Sequence, residues 1–255
     1  MNEDKLKNLL NGVCTVVSCV RETGSTNTDA RALIAEFPDA DTILRTADIQ
    51  TGGRGRQGKS FVSPEGGLYM TLVLRTGAPL ESVVNVTSCA AAAVSRALAK
   101  FGADCGIKWV NDLYLNGGKL VGILVESVND YTAMRSEYAI IGVGVNVRRN
   151  IFPDGIHAVT LEDAGFDVDA AELCAEIVRE LLAVRETGFD FSFYAEEYRQ
   201  RSIVLGRDVM FLRNGTAMYG TAEAIDECGG LVVRVSEERY TLDSGEITLR
   251  MQEQE

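Results

Sequence analysis

Three polar segments could do chemistry, and each carries groups suited to a small anion. In the first, Gly52-Gly53-Arg54-Gly55-Arg56-Gln57-Gly58-Lys59, glycines permit close backbone approach and three cations stand two or three residues apart. Such a loop can wrap a phosphate, and it can equally be a solvated turn. It lacks the terminal Lys-Ser/Thr pair of a P-loop and joins two expected strands, so neither a P-loop helix nor a dinucleotide-binding βα turn fits. The second is Lys108-Trp109-Val110-Asn111-Asp112-Leu113, followed by Gly118-Lys119-Leu120-Val121-Gly122-Ile123-Leu124-Val125-Glu126, where lysine, asparagine and aspartate crowd the end of an apolar strand. In the third, Gly142-Val143-Gly144-Val145-Asn146, glycine alternates within a strand, which marks either close helix packing or a ligand pressed on the backbone.

Around these segments the chain is an ordinary globular sequence of 255 residues, 46% hydrophobic, enough for one substantial core and a small second unit. No apolar run approaches the roughly 20 residues that span a bilayer, and residues 1–10 form no signal-peptide core, so the expected address is cytoplasmic. Six cysteines lie far apart without a C-x-x-C pair and read as reduced, buried small hydrophobes. With one histidine, His157, neither a zinc site nor a histidine triad is expected, and no metal ligands are identified. The net charge of −12 argues against nucleic acid or an anionic membrane as partner. Residues 45–75 break that trend, with five basic residues against two acidic ones. That local excess suits a small anionic ligand.

The positioning elements follow from periodicity. Residues 13–20 predict a strand, and Ser25 or Thr26 can cap a helix with Ala30, Leu33, Ile34 and Phe37 on one face. Strands are expected over 42–49 and 68–74 on either side of the glycine–arginine loop, then an alanine-rich buried helix over 82–101. Asn116-Gly117 predicts a tight hairpin between strands at 113–115 and 119–127, and another strand follows at 138–147. Helices are expected between 169 and 201. Residues 207–250 then alternate as short strands separated by Asn214-Gly215, Gly229-Gly230 and Ser244-Gly245, the spacing of a small barrel of about five strands. A domain boundary is placed near Gly206.

In this order, Gly24-Ser25-Thr26-Asn27, Gln50 with the glycine–arginine loop, Ser63-Pro64 with Gly66-Gly67-Leu68-Tyr69, Lys108 to Leu113, Lys119 to Glu126 and Gly142 to Asn146 resemble the catalytic domain of biotin–protein ligases. The resemblance covers roughly residues 13–250. It implies an α/β (α+β) fold: a mixed β-sheet flanked by helices, like class II aminoacyl-tRNA synthetases, over residues 1–205, and a small C-terminal SH3-like β-barrel over 206–255. It implies ATP and biotin as substrates with Mg²⁺, a biotinyl-adenylate intermediate, and transfer to a lysine of a biotin carboxyl carrier protein. By the same resemblance Ser25, Thr26, Asn27, Gln50, Gly53, Gly122, Gly142 and Gly144 would surround biotin, with Ser25, Thr26 and Gln50 bonded to its ureido ring. Lys108, Arg54 and Arg56 would hold the biotin carboxylate beside the α-phosphate as the catalytic cations. Arg56, Lys59, Phe61, Asn111, Lys119 and Asn146, with Arg54, would serve the nucleotide.

Folding of residues 52–61 over the intermediate would shield a hydrolysable anhydride, and Asp112 is the candidate base for the acceptor amine. The sequence departs from the family where Phe61 stands for an adenine-stacking tryptophan, where Val110 stands for proline, and where Gln57 and Lys59 stand for arginine. The family often dimerises, so a homodimer is possible. Rival readings are a lipoate–protein ligase or related acyl transferase of the same fold, a DNA-binding repressor, for which the 24 residues before Ser25 leave little room, and a silent biotin-binding module. Trp109 reads as a core anchor, Tyr69 and Tyr114 as cross-strand pairs, Glu126 as structural, His157 as solvated, and residues 179–186 and 196–201 as solvated helix faces.

Overall fold

The computed structural model describes residues 1–243, 245 and 247–249. Helix α1 (Glu3–Leu9) precedes strand β1 (Val16–Thr23), which crosses over through α2 (Thr26–Glu36) to the parallel β2 (Thr42–Gln50). The chain continues through β3 (Leu68–Pro79), the single turn α3 (Leu80–Val83), α4 (Val86–Ala99), β4 (Gly106–Lys108), β5 (Asp112–Leu115), β6 (Gly118–Asp130) and β7 (Arg135–Val145). These strands form one mixed seven-stranded sheet in the order β1-β2-β3-β7-β6-β5-β4, antiparallel throughout except for β1 and β2.

Period-two alternation divides each strand between two faces. Ile43, Val73 and Ile140 pack with Ala30 under α2, whereas Leu44, Leu72, Leu74 and Ile141 join the main core with α4 and α5 (Ala170–Glu186). Helix α4 is buried nearly all round because its alanines let it lie between the sheet and α5. The chain then passes through α6 (Ala195–Arg201) into β8 (Asp208–Arg213), β9 (Thr216–Ile225), β10 (Leu231–Val235), β11 (Glu238–Leu242) and β12 (Ile247–Leu249), an antiparallel sheet in the order β11-β10-β9-β8-β12.

The expected five C-terminal strands are present. Among the described residues they form an open ladder with β11 and β12 as its edges, so no closed barrel is drawn by hydrogen bonds. Two of its turns carry the predicted left-handed residues, Asn214 with Gly215 and then Gly229; Ser244, half of the third, lies outside the described residues. The Asn116-Gly117 hairpin has φ of 49° and 81°, as its sequence requires. Strand β1 begins at Val16, three residues later than expected, because Leu10 is still buried beneath α1 and residues 11–13 form the turn.

Several smaller readings are corrected. Cys228 is exposed and Cys14 and Cys19 are half-buried, so only Cys89, Cys105 and Cys174 behave as core hydrophobes. Tyr69 and Tyr114 do not pair across strands. Tyr69 stands opposite Ala47 and Gly144, meets Phe61 edge-on at 6.5 Å and donates to the Pro64 carbonyl, whereas Tyr114 lies under the Lys108 ammonium at 5.6 Å. Arg199 is not a solvated face residue, for it donates to the carbonyls of Ile225 and Asp226 at 2.9 and 3.1 Å. Trp109 is an anchor as expected, 3% exposed, its indole N–H on the Gly229 carbonyl at 2.9 Å. Among the described residues no helix is long and apolar enough to cross a membrane.

Candidate active site

The register of the sheet builds the site. Lys108 on β4 lies opposite Asp112 on β5, Asp112 opposite Gly122 on β6, Gly122 opposite Gly144 on β7, and Gly144 opposite Tyr69 on β3. Directly opposed residues point to the same face, so these five form one row across five strands. The next row of that face holds Leu124, Gly142 and Thr71, and the one after it Glu126, Ile140 and Val73. Where the two rows meet, side chains are missing at 122, 142 and 144. The result is a trough with cations at one end and the start of α2 at the other.

At the α2 end, Ser25, Thr26 and Asn27 are 6%, 3% and 4% exposed. Ser25 occupies the N-cap position without a capping side-chain bond, which leaves its hydroxyl to the cavity. The Gln50 carbonyl oxygen accepts from the Thr26 N–H at 2.9 Å and meets the Thr26 hydroxyl at 3.0 Å, while the Gln50 amide donates to Ser63 Oγ at 2.9 Å. Thr71, fully buried, places Oγ1 2.8 Å from Thr26 Oγ1 and 2.7 Å from Asn27 Oδ1. Asn27 stands over Gly142, where a Cβ would overlap its side-chain oxygen and come within 2.9 Å of its Cγ.

At the cationic end Lys119 pairs with Asp112 at 2.8 Å, and its ammonium sits 5.7 Å from the centre of the Phe61 ring. Asn111 closes a two-bond clasp with Ile123, donating to its carbonyl at 2.8 Å and accepting its N–H at 3.0 Å. Arg56 reaches Asn111 Oδ1 at 3.5 Å from the loop above. Burial, and then the charge of Asp112, raise the Tyr114 phenol above its ordinary range, so it stays neutral beneath Lys108.

The glycine–arginine loop lies over the trough as an irregular hairpin. Gln50 N–H donates to Ser63 O at 3.1 Å, Phe61 N–H to Gly53 O at 2.8 Å and Gly55 N–H to Lys59 O at 2.7 Å, with Gln57 and Gly58 at φ 54° and 76° making the tip. Arg54 is turned to Glu126 at 3.0 Å. Phe61 lies against Gly122 and Gly144, where a Cβ at 122 would be 2.7 Å from its ring.

These groups enclose a cavity of about 230 Å³. Of the residues singled out in the sequence, Ser25, Thr26, Asn27, Gln50, Arg54, Arg56, Lys59, Phe61, Lys108, Asn111, Lys119, Gly122, Gly142 and Gly144 line it, as does Asp112. Gly53 and Asn146 do not. Gly53 faces inward to the Phe61 carbonyl and Ser63, and Asn146 is spent on the Lys119 carbonyl at 3.1 Å, so each supports a neighbour that does line the wall. Sequence reasoning missed Met70, Leu124 and the C-terminal Gly245, Ile247 and Thr248. Leu124 and Met70 sit within strands already identified, whereas β12 comes from more than a hundred residues away and carried no local signal.

The model of the biotin/lipoate A/B protein ligase family matches residues 20–146, and that of the biotin protein ligase C-terminal domain matches residues 204–250. The chain is 32% identical over 241 residues to a biotin–[acetyl-CoA-carboxylase] ligase of Paracoccus denitrificans, covering 88% of this chain and 97% of that one. It is 35% identical over 217 residues to the bifunctional ligase/repressor BirA of Bacillus subtilis, where the match covers 81% of this chain and 66% of the relative's length. Among solved structures, the biotin protein ligase of Aquifex aeolicus in complex with biotin and ATP superposes with a TM-score of 0.76 at 26% identity, over 93% of this chain and all of that one.

Proposed function

The chain belongs to the biotin protein ligase family, and from that premise we propose that it joins biotin to a lysine of a biotin carboxyl carrier protein at the expense of ATP. The observation that carries the reading is the single row Lys108–Asp112–Gly122–Gly144–Tyr69, because it sets a side-chain-free floor between a polar, buried end and a cationic end. A neutral ureido ring with donors and an acceptor suits the Ser25–Thr26–Gln50 end, and an acyl chain suits the glycine floor. The carboxylate then meets the α-phosphate at the cations.

In the first step a carboxylate oxygen attacks the α-phosphorus and pyrophosphate departs. Two anions must approach one another, and Lys108, Lys119, Arg56 and a released Arg54 lower that repulsion in a site largely closed to water. Residues 52–61 close the roof over the resulting anhydride. In the second step the acceptor lysine, as a neutral amine, attacks the acyl carbon and AMP leaves. Asp112 is the carboxylate of this row and the candidate for the amine's proton.

Among the described residues no cluster of three or more His, Cys, Asp or Glu could cage a metal. Mg²⁺ belongs to this reading as part of the Mg-ATP substrate, held chiefly by phosphate oxygens and water. The same reading divides the chain at Gly206, assigns it to the cytoplasm where ATP and the acceptor meet, and allows a homodimer. Incubation with biotin, Mg-ATP and a biotin-carrier domain, followed by the mass of the acceptor, tests both half-reactions; an unmodified acceptor defeats the proposal. Competition with labelled lipoic acid separates it from the related acyl transfer.

A further inference from the structure

A chain of side-chain oxygens at the buried polar end has more contacts than protons to fill them. Gln50 Oε1, Thr26 Oγ1, Thr71 Oγ1 and Asn27 Oδ1 form a chain of three oxygen–oxygen contacts at 3.0, 2.8 and 2.7 Å. Only the two hydroxyls bring protons to it. Reversal of either terminal amide would supply another, but neither can turn. Gln50 is fixed because its oxygen also receives the Thr26 backbone N–H. Asn27 is fixed because its amide nitrogen donates to Glu126 Oε2 at 2.9 Å, with a longer contact to the Leu124 carbonyl at 3.4 Å, and an amide oxygen turned toward a carboxylate would set acceptor against acceptor. The Glu126 oxygen that holds Asn27 is also the one paired with Arg54 of the roof.

Resting on the ligase reading, we propose that Glu126 is a positioning residue for substrate choice: through Asn27 it fixes the buried end of the pocket as a hydrogen-bond acceptor, selecting acids whose head group carries N–H donors over acids whose head has none. Glu126 does not touch the ligand in this scheme. Its short bond sets the direction of an amide that the Leu124 carbonyl, at 3.4 Å, holds only weakly, and a donor-bearing head supplies a proton to the acceptor oxygens of the chain. Sites built around a ligand N–H reject analogues lacking it by large factors, on the order of 10⁴. A freely turning Asn27 would offer N–H groups of its own and erase part of that preference.

The test is Glu126→Gln in the full chain, which keeps shape while allowing the amide pair to reverse. The KM for biotin and the inhibition constant of lipoic acid, which has no N–H, are measured by pyrophosphate release. The ratio of the lipoic-acid inhibition constant to the biotin KM is expected to fall by roughly tenfold or more, carried by a rise in the biotin KM with kcat little changed, and Glu126→Asp is expected to recover part of it. Thr71→Val, which removes one of the two hydroxyls with little change of volume, should lower the same ratio. An unchanged ratio in both variants overturns the inference, as does an equal loss for both acids, the mark of a merely structural role. Wild-type protein that releases no pyrophosphate with biotin would instead sink the ligase reading itself.

Discussion

Gly53→Ala isolates the closed roof from the rest of the fold. A Cβ at this position would overlap the Phe61 carbonyl oxygen and stand 2.7 Å from Ser63 Oγ. The Phe61 strand of the loop must therefore retreat by about 1 Å to reach an ordinary carbon–oxygen separation. That retreat breaks Phe61 N–H to Gly53 O, now 2.8 Å, and loosens Gly55 N–H to Lys59 O, now 2.7 Å. At about 0.5–1.5 kcal/mol net for each bond, the closed loop loses about 1–3 kcal/mol, and its open population rises roughly 5- to 150-fold. Global stability should scarcely change, because the residues from Arg54 to Ser60 are exposed or half-buried and open as a local unit.

Trypsin reads this directly, since Arg54, Arg56 and Lys59 all lie in the loop and cleavage follows the open population while reclosing is fast. The expected result is accelerated cutting between 54 and 59, with biotin labelling of bystander lysines as the adenylate escapes. Gly52→Ala is the control, for its nearest neighbour is the Gly24 carbonyl at 3.3 Å and a shift of a few tenths of an ångström suffices. Equal cleavage of the two variants and the wild type would refute the argument. So would global unfolding of Gly53→Ala in the same experiment.

Three further outcomes follow from the geometry. Lys108→Ala should abolish pyrophosphate release while leaving the thermal transition in place, because its ammonium lies over Tyr114 at the cavity wall; normal turnover would defeat its assignment. Trp109→Phe should cost about 1–3 kcal/mol in urea unfolding, since the buried Gly229 carbonyl loses its donor; a change below 0.5 kcal/mol, within roughly the spread of surface substitutions, would show that the bond is dispensable. Asp169, the N-cap of α5, has its carboxyl held below 3.8 first by the hydrogen bond from Lys5, with burial opposing and the N–H groups of Glu172 and Ala171 assisting. Its contribution is present above the ordinary carboxylate range and is lost as pH falls through the lower folded value, so Asp169→Asn should flatten that part of the acid limb in pH-dependent unfolding.

Much of this site was legible because the sheet transmits local pattern across strands. Alternate glycines at 142 and 144, glycine at 122 and the polar strand end at 108–112 each announced an unusual face, and register brings those faces together. What stayed hidden depends on pairing at long range. Thr71 sits inside the apolar run Leu68–Leu74 and looks like any β-branched strand residue until α2 places Thr26 and Asn27 on it. Arg199 belongs to a charged heptapeptide, Ala195–Arg201, whose periodicity says surface; only the turn at Ile225 and Asp226, folded back from β9, shows that it is a clasp. Arg54 was expected beside a phosphate, and no feature of its own segment indicates that Glu126, 72 residues onward, holds it in this state.

The position of Phe61 links these parts. Interior glycines weaken a strand by roughly 0.5–1 kcal/mol each, yet β6 and β7 carry three of them at the middle of the seven-stranded sheet, where ladders on both sides offset the loss. Stability alone would fill those positions. In this state the Phe61 ring rests on Gly122 and Gly144, and the Lys119 ammonium lies 5.7 Å from the ring centre. Under the proposed function, the acyl chain would take the floor that the ring now covers. The ring's strand is bonded to Gly53, and Gly53 adjoins Arg54, whose charge rests on Glu126. Displacement of Phe61 therefore pulls on the segment that Glu126 restrains, while a carboxylate arriving at the cationic end competes for the same guanidinium. Under the proposed function, occupation of the floor would therefore displace Phe61 and, through Gly53, the backbone that carries Arg54.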